Sequence, residues 1–529
     1  MRKSGFGFKI TIWMTILGLV IGIAGLTSCS ASYSPGINNT HAGENYARST
    51  TQAGDSRMET DANMNTEEYN TIIENEFLSV LDQPLSTFSA DVDTASYSVV
   101  RRMINEGRAV TPDAVRLEEM LNYFDFDYPI PEEGDVFSVT QELIECPWNK
   151  ESMLLMIGVQ AFDIPEEERP DMNLVYLIDT SGSMNSPDKL GLAVTALKLL
   201  TENLKENDRI SIVTYAGSEK VILDGKSGYY KQDIVDALNE LTSGGSTHGS
   251  AGIKKAYEMA AEHFIEGGNN RIILMTDGDL NVGITSEDDL KRLVEEKAES
   301  GIYLSIAGLG MGNYKDNKLE IMADNGNGNY YYIDTIEEAK KVLVEDMAGT
   351  LFTVAKDTKF QVEFNPAYVK AYRLIGYENR KLNNQDFADD SKDAGDVGSG
   401  QNVTVMYEIV SRDSDMKLPD IDLKYQEAGK PVNSDEWLTV SIRYKVPEET
   451  TSNLLNYPLV PDEDPGRASE NIRFASCVVQ FGMLLRDSKF KGDSSYSDII
   501  RELERLDSVS EDKFKKEFLS LVRKVADKD

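Results

Sequence analysis

Between residues 171 and 350, short apolar runs alternate with stretches whose apolar positions recur every three to four residues. The runs 174–178, 209–215, 271–275, 302–307 and 330–333 are each closed off by polar residues, which predicts buried strands. The stretches 190–204, 232–241, 251–264, 287–298, 319–323 and 336–347 carry the helical period. Alternation of the two predicts right-handed βαβ units, and so a doubly wound α/β domain with a mostly parallel sheet and helices on both faces. At about 180 residues it falls within ordinary domain size.

The flanks are patterned differently. Helical spacing behind capping residues predicts two short helices at 93–104 and 114–124, and strand-like runs occupy 136–164. After residue 352 strand character returns at 359–364, 369–374, 403–410 and 438–446, with an acidic, glycine-containing insert at 386–400. The chain closes on helical stretches at 468–485 and 496–525. Strands on both sides of the α/β block predict one β sandwich into which the block is inserted.

A chain of 529 residues is too long for one core and predicts roughly two to four domains. Its net charge of −36 argues against nucleic acid as a partner, because neutralising phosphates takes clustered Lys and Arg. The amino terminus changes the picture further. Arg2, Lys3 and Lys9 precede an apolar run over 10–26 that is short for a membrane span and typical of a signal peptide. Leu26-Thr27-Ser28-Cys29 resembles the bacterial lipobox, which implies cleavage before Cys29 and a lipid on that cysteine. An uncleaved N-terminal anchor is the other reading, and under both the rest of the chain is exported and membrane-tethered. The polar stretch that follows lacks hydrophobic clusters and reads as a flexible tether, with a reach on the order of 40 Å. Cys146 and Cys477 remain, able either to pair or to serve as two small buried hydrophobes.

Candidate chemistry sits at strand ends. The run 174–178 leads straight into Asp179-Thr180-Ser181-Gly182-Ser183, and in an open α/β sheet ligands bind beyond the carboxyl ends of the strands. The run 271–275 likewise ends in Thr276-Asp277-Gly278. If these strands are neighbours where the strand order reverses, Asp179 and Asp277 face each other across a crevice. The small-residue loop 243–250 lies between them in sequence and offers Thr247 as a further hydroxyl. Two carboxylates with the hydroxyls of Ser181, Ser183 and Thr247 form an all-oxygen set. It suits Mg²⁺, with Mn²⁺ or Ca²⁺ as alternatives, rather than zinc or copper.

These residues resemble the metal-ion-dependent adhesion site, or MIDAS, of von Willebrand factor type A (vWA) domains. The loops around 307–313 and 325–330 resemble the end of that domain in bacterial members, and the flanks look like those of bacterial vWA-containing lipoproteins. The resemblance implies a signal peptide over 1–28, a tether over 29–75 and an N-terminal flanking domain over 76–170. A vWA domain of Rossmann-like topology over 171–350 and a C-terminal flanking domain over 351–529 complete the division. It also implies that Ser181, Ser183 and Thr247 bind metal directly, with Asp179 and Asp277 acting directly or through water. A partner's Asp or Glu then fills the open position. A lone Asp-x-Ser-x-Ser is also an ordinary helix cap; Thr247 and Asp277 set this one apart.

An enzyme reading finds little support. Doubly wound Mg²⁺-dependent phosphatases need a second carboxylate two residues after the first, and here that position is Ser181. Of the three histidines, His41 falls in the tether, His248 beside Thr247 and His263 in a helix, and no nucleophile–base pair stands out. Gly308, Gly310 and Gly312 follow a late strand and fit a tight loop better than a dinucleotide fingerprint. The expectation is a non-enzymatic, metal-dependent module of the cell envelope that binds a protein or peptide carboxylate. An envelope scaffold or co-chaperone with a structural metal is the alternative, and a metal-assisted hydrolase the third reading.

Overall fold

The computed structural model describes residues 67–246, 249–278, 287–310, 316–417, 434–447, 449–461 and 468–528. The signal peptide with Cys29, the tether up to residue 66, and Thr247 and His248 lie outside these residues. Strands β1 (Leu78–Ser79) and β2 (Leu85–Ser89) lead into helices α1 (Ala95–Asn105) and α2 (Leu117–Asn122), then into β3 (Phe137–Glu145) and β4 (Met153–Ala161). The α/β block runs β5 (Met172–Asp179), α3 (Leu192–Glu202), β6 (Arg209–Tyr215), β7 (Glu219–Ser227), α4 (Lys231–Asn239), α5 (Gly249–Glu262) and β8 (Asn269–Thr276). It continues through α6 (Glu287–Ala298), β9 (Ile302–Leu309), α7 (Asp316–Asn325), β10 (Tyr330–Ile333), α8 (Ile336–Lys340) and α9 (Met347–Leu351). Strands β11 (Thr353–Phe364), β12 (Val369–Ile375), β13 (Gly395–Gly398), β14 (Asn402–Ser411), β15 (Leu438–Lys445) and β16 (Asn453–Leu459) follow. Helices α10 (Glu470–Leu485), α11 (Tyr496–Leu503), α12 (Asp507–Glu511) and α13 (Lys513–Ala526) end the chain.

The block's sheet has the order β10-β9-β8-β5-β6-β7, parallel throughout except for β7, which pairs antiparallel with β6. Every residue of β5 is buried, because a central parallel strand has helices over both faces; that is why it reads as an unbroken apolar run. One face packs against α3, α4, α8 and α9, the other against α5, α6 and α7.

The flanks are joined strand by strand. One sheet has the order β1-β12-β14-β4-β3 and the other β13-β11-β15-β16, with β2 pairing β11. Each sheet combines strands from before and after the block, β1, β3 and β4 with β12 and β14 in the first and β2 with β11 in the second, and residues of β4, β14, β11 and β15 meet in one core. The α/β block is therefore inserted into a sandwich that neither 76–170 nor 351–529 builds alone. On the outer side of the first sheet, Leu154, Met156 and Met406 pack against a helical layer from α2, α10, α11 and α13. Cys146 and Cys477 both belong to that core and both are free thiols.

Helix α1 ties these parts together. Tyr97, Val100 and Ile104 enter the helical core, while Ala95, Val99 and Met103 enter the core beneath the parallel sheet. Order also begins before residue 76: Ile72 N–H donates to Asp113 at 3.0 Å, and Glu67 accepts from Arg102 at 3.0 Å. The last residues assigned to the tether thus belong to the fold, because a buried guanidinium needs a carboxylate.

Candidate metal centre

Leaving β5, the chain builds β6 and β7 on one side and then returns to place β8 on the other. The strand order reverses there, so loops leave β5 and β8 in opposite directions and open a crevice at their carboxyl ends. Asp179 is the last residue of β5, and the register pairs Ile178 with Met275, which puts Thr276 and then Asp277 at the same level. The two carboxylates expected to converge are brought to one crevice, both buried.

The turn after β5 is held by its own first residue. Asp179 Oδ1 accepts the backbone N–H of Ser181 at 2.8 Å, and its Oδ2 accepts the Thr276 hydroxyl at 3.3 Å. Ser181 Oγ and Ser183 Oγ lie 3.0 Å apart. Burial pushes the Asp179 carboxyl up to about 6, against the lowering effect of the Ser181 hydroxyl and N–H, with Asp277 adding to the rise.

The small-residue loop docks on the same turn. Gly182 N–H donates to the Gly245 carbonyl at 3.1 Å and Gly244 N–H to the Thr180 carbonyl at 2.8 Å. Gly245 has φ +90°, a conformation natural to glycine. These bonds carry the loop to the crevice mouth; Thr247, the expected fifth ligand, follows two residues later, outside the described residues.

The donor set fits a hard divalent cation. In an octahedron with bonds of about 2.1 Å, adjacent ligand oxygens stand about 3 Å apart, which is the separation of the two serine hydroxyls. Among the described residues Asp277 Oδ1 is buried without a hydrogen-bond partner, an oxygen with capacity left to coordinate. Such an ion would be held by Asp179, Ser181, Ser183 and Asp277, and would supply a Lewis-acidic position for an incoming anionic oxygen.

The structure adds residues that periodicity does not reveal. Lys189 Nζ donates to Asp277 Oδ2 at 2.9 Å and to the Ser183 carbonyl at 3.1 Å. Arg102 of α1 donates to the Gly310 carbonyl at 3.0 Å, so a flanking helix braces the loop beside Lys189. Nothing in the spacing marks these residues; only a basic residue six positions past the serine pair hints at the first. Away from the crevice, Asp224, Glu262 and His263 bring potential ligand atoms within 4.8 Å of one another on the surface, with His263 bonded to Asp224 at 2.6 Å.

Three family models match the chain. The one described as von Willebrand factor type A domain covers residues 173–345, one described as von Willebrand factor covers 63–156, and one for the C-terminal part of the uncharacterized protein YfbK covers 349–527. The uncharacterized protein YfbK of Escherichia coli (strain K12) is 41% identical over 473 residues, spanning 87% of this chain and 81% of that protein. The uncharacterized protein sll0103 of Synechocystis sp. is 26% identical over 195 residues, 37% of this chain and 44% of its own length. Among solved structures, a von Willebrand factor type A protein from Catenulispora acidiphila aligns at 15% identity with a TM-score of 0.39, over 68% of this chain and 80% of that one.

Proposed function

We propose, because this chain belongs to the family of the uncharacterized protein YfbK and carries a von Willebrand factor type A domain, that it is a membrane-tethered binding module of the cell envelope. In this reading a divalent cation, Mg²⁺ in the first place, is held by Asp179, Ser181, Ser183, Thr247 and Asp277 and coordinates an Asp or Glu carboxylate of a protein partner. The observation that carries it is the meeting of two buried carboxylates at the strand switch point, one of them with an unpartnered oxygen. Lipid attachment at Cys29 is the proposed anchor.

In this reading the residues present bind and orient. Asp179 fixes the turn that presents the serine hydroxyls, and Thr276 fixes Asp179. The serine hydroxyls are neutral ligands and the two carboxylates balance a divalent ion, so an incoming carboxylate completes its coordination. The function is recognition rather than catalysis.

Calorimetric titration with Mg²⁺ and Mn²⁺ tests the site. Wild type should bind one ion, and Asp179→Ala should bind none while keeping its circular dichroism. Collapse of the fold in Asp179→Ala would favour a purely structural metal and the envelope-scaffold reading.

A further inference from the structure

The crevice already holds a cation of the protein's own. Lys189 approaches Asp277 from the single π turn Pro187–Gly191 that opens α3, and its side chain is only 13% exposed. Its aliphatic stem is seated on Gly310, whose φ is +68°; a Cβ there would stand 2.3 Å from Lys189 Cε and 2.5 Å from Cγ. The seat exists because position 310 has no side chain. Gly310 is itself fixed, since its carbonyl accepts from Arg102 Nη1 at 3.0 Å and from the Tyr332 hydroxyl.

The ammonium satisfies only part of what the site offers. It pairs with Asp277 Oδ2 and leaves Oδ1 unpartnered among the described residues, and it stands 3.1 Å from the Ser183 carbonyl, beside one of the expected ligands. With both carboxylates ionised, the crevice carries two negative charges and Lys189 cancels one. A divalent ion added with the lysine in place would set two cations against each other at close range in a poorly screened site. With the lysine gone, ion and carboxylates balance.

We propose that Lys189 is a tethered counter-ion that closes the cation site, so that a divalent ion enters by displacing the ammonium from Asp277. The inference rests on the metal-site reading above. The lysine lets go readily because its charge is a point on a flexible four-carbon stem. Its consequence is a lowered apparent affinity, set by the fraction of molecules in which the lysine is out. A monovalent ion brings no more charge than the ammonium it would replace, so the device also favours divalent ions.

The test compares full-length wild type, Lys189→Met, which keeps the stem and loses the charge, and Lys189→Arg, which keeps a charge. Mn²⁺ affinity is read by calorimetry and by electron paramagnetic resonance. Lys189→Met should bind Mn²⁺ on the order of tenfold more tightly than wild type, and Lys189→Arg within a few-fold of it. Equal or weaker binding by Lys189→Met, with binding still abolished in Asp179→Ala, would overturn the counter-ion and leave the metal site standing. Absence of Mn²⁺ binding in all three would overturn both. A second readout does not depend on a variant folding: acylation of Lys189 by a water-soluble active ester, followed by peptide mapping, should accelerate when Mn²⁺ is added to wild type. An unchanged rate at saturating Mn²⁺ would overturn the displacement.

Discussion

Glu118 on α2 is wholly buried, and its Oε2 has no hydrogen-bond partner among the described residues. Burial first, then the negative charges of Glu378, Asp91 and Glu119, push its carboxyl up to about 8 from an ordinary 4.5. Room for it comes from Gly376 at φ +76°, where a Cβ would stand 2.6 Å from Oε2. Between pH 4.5 and 8 the folded chain holds a proton that the unfolded chain has released, so stability falls as pH rises through that window. The contribution is complete below 4.5 and lost above 8. Glu118→Gln, neutral at every pH, should match wild type in urea unfolding at pH 5 and exceed it at pH 9 by on the order of 2 kcal/mol or more. An equal gap at both pH values would mean that Glu118 titrates as an ordinary carboxyl. Residues of this kind show the limit of sequence reading at this scale. Asp179 and Asp277 were legible because strand ends are where α/β sheets place ligands. Glu118 and Lys189 were not, because a charged side chain carries no mark of whether its neighbours bury it.

Elements were legible in proportion to how one-sided their surroundings are. Strands β5, β8 and β10 lie between helices and appear as closed apolar runs, while β15 alternates buried and half-buried residues as an antiparallel strand should. Strands β7 and β16 left no such trace: each lies at a sheet edge and exposes most of its residues. The stretch 496–525, expected as one helical region, is three helices, because the apolar period runs on across the breaks. Helix α1 was expected, but its role as the link between cores depends on long-range partners. Arg101, 2% exposed, pairs with Asp334 and with Glu338 of α8 at 2.7 Å, donates to Tyr123 at 2.7 Å and reaches Glu517 of α13 at 3.1 Å. Arg101→Met would leave the carboxylates of Asp334 and Glu338 buried without their cation. Chemical denaturation should show a loss of about 3–5 kcal/mol, and a loss below about 1 kcal/mol would mean that the helix is held by its apolar faces alone.

At the scale of the molecule, the sandwich and the α/β block are built on each other: the chain enters the sandwich, leaves to form the block and returns to complete both sheets. The insertion could be anticipated from strands on both sides of the block, whereas the pairing of β4 with β14 could not, since register across some 250 residues is set by packing rather than by local pattern. This arrangement leaves the switch-point crevice at the end of the block's own sheet, with a flanking helix bracing one wall through Arg102 and Gly310. The chain as a whole carries a net charge of −36, which repels an acidic partner. A divalent cation in the crevice cancels the charge of the two carboxylates and offers such a partner one coordination position at which to dock. The most direct measurement is therefore protein crosslinking in intact cells expressing wild type or Asp179→Ala, in Mg²⁺ with and without EDTA. The account predicts crosslinked partners for wild type in Mg²⁺ that disappear with EDTA and are missing from Asp179→Ala. A partner set unchanged by both the chelator and the substitution would contradict it.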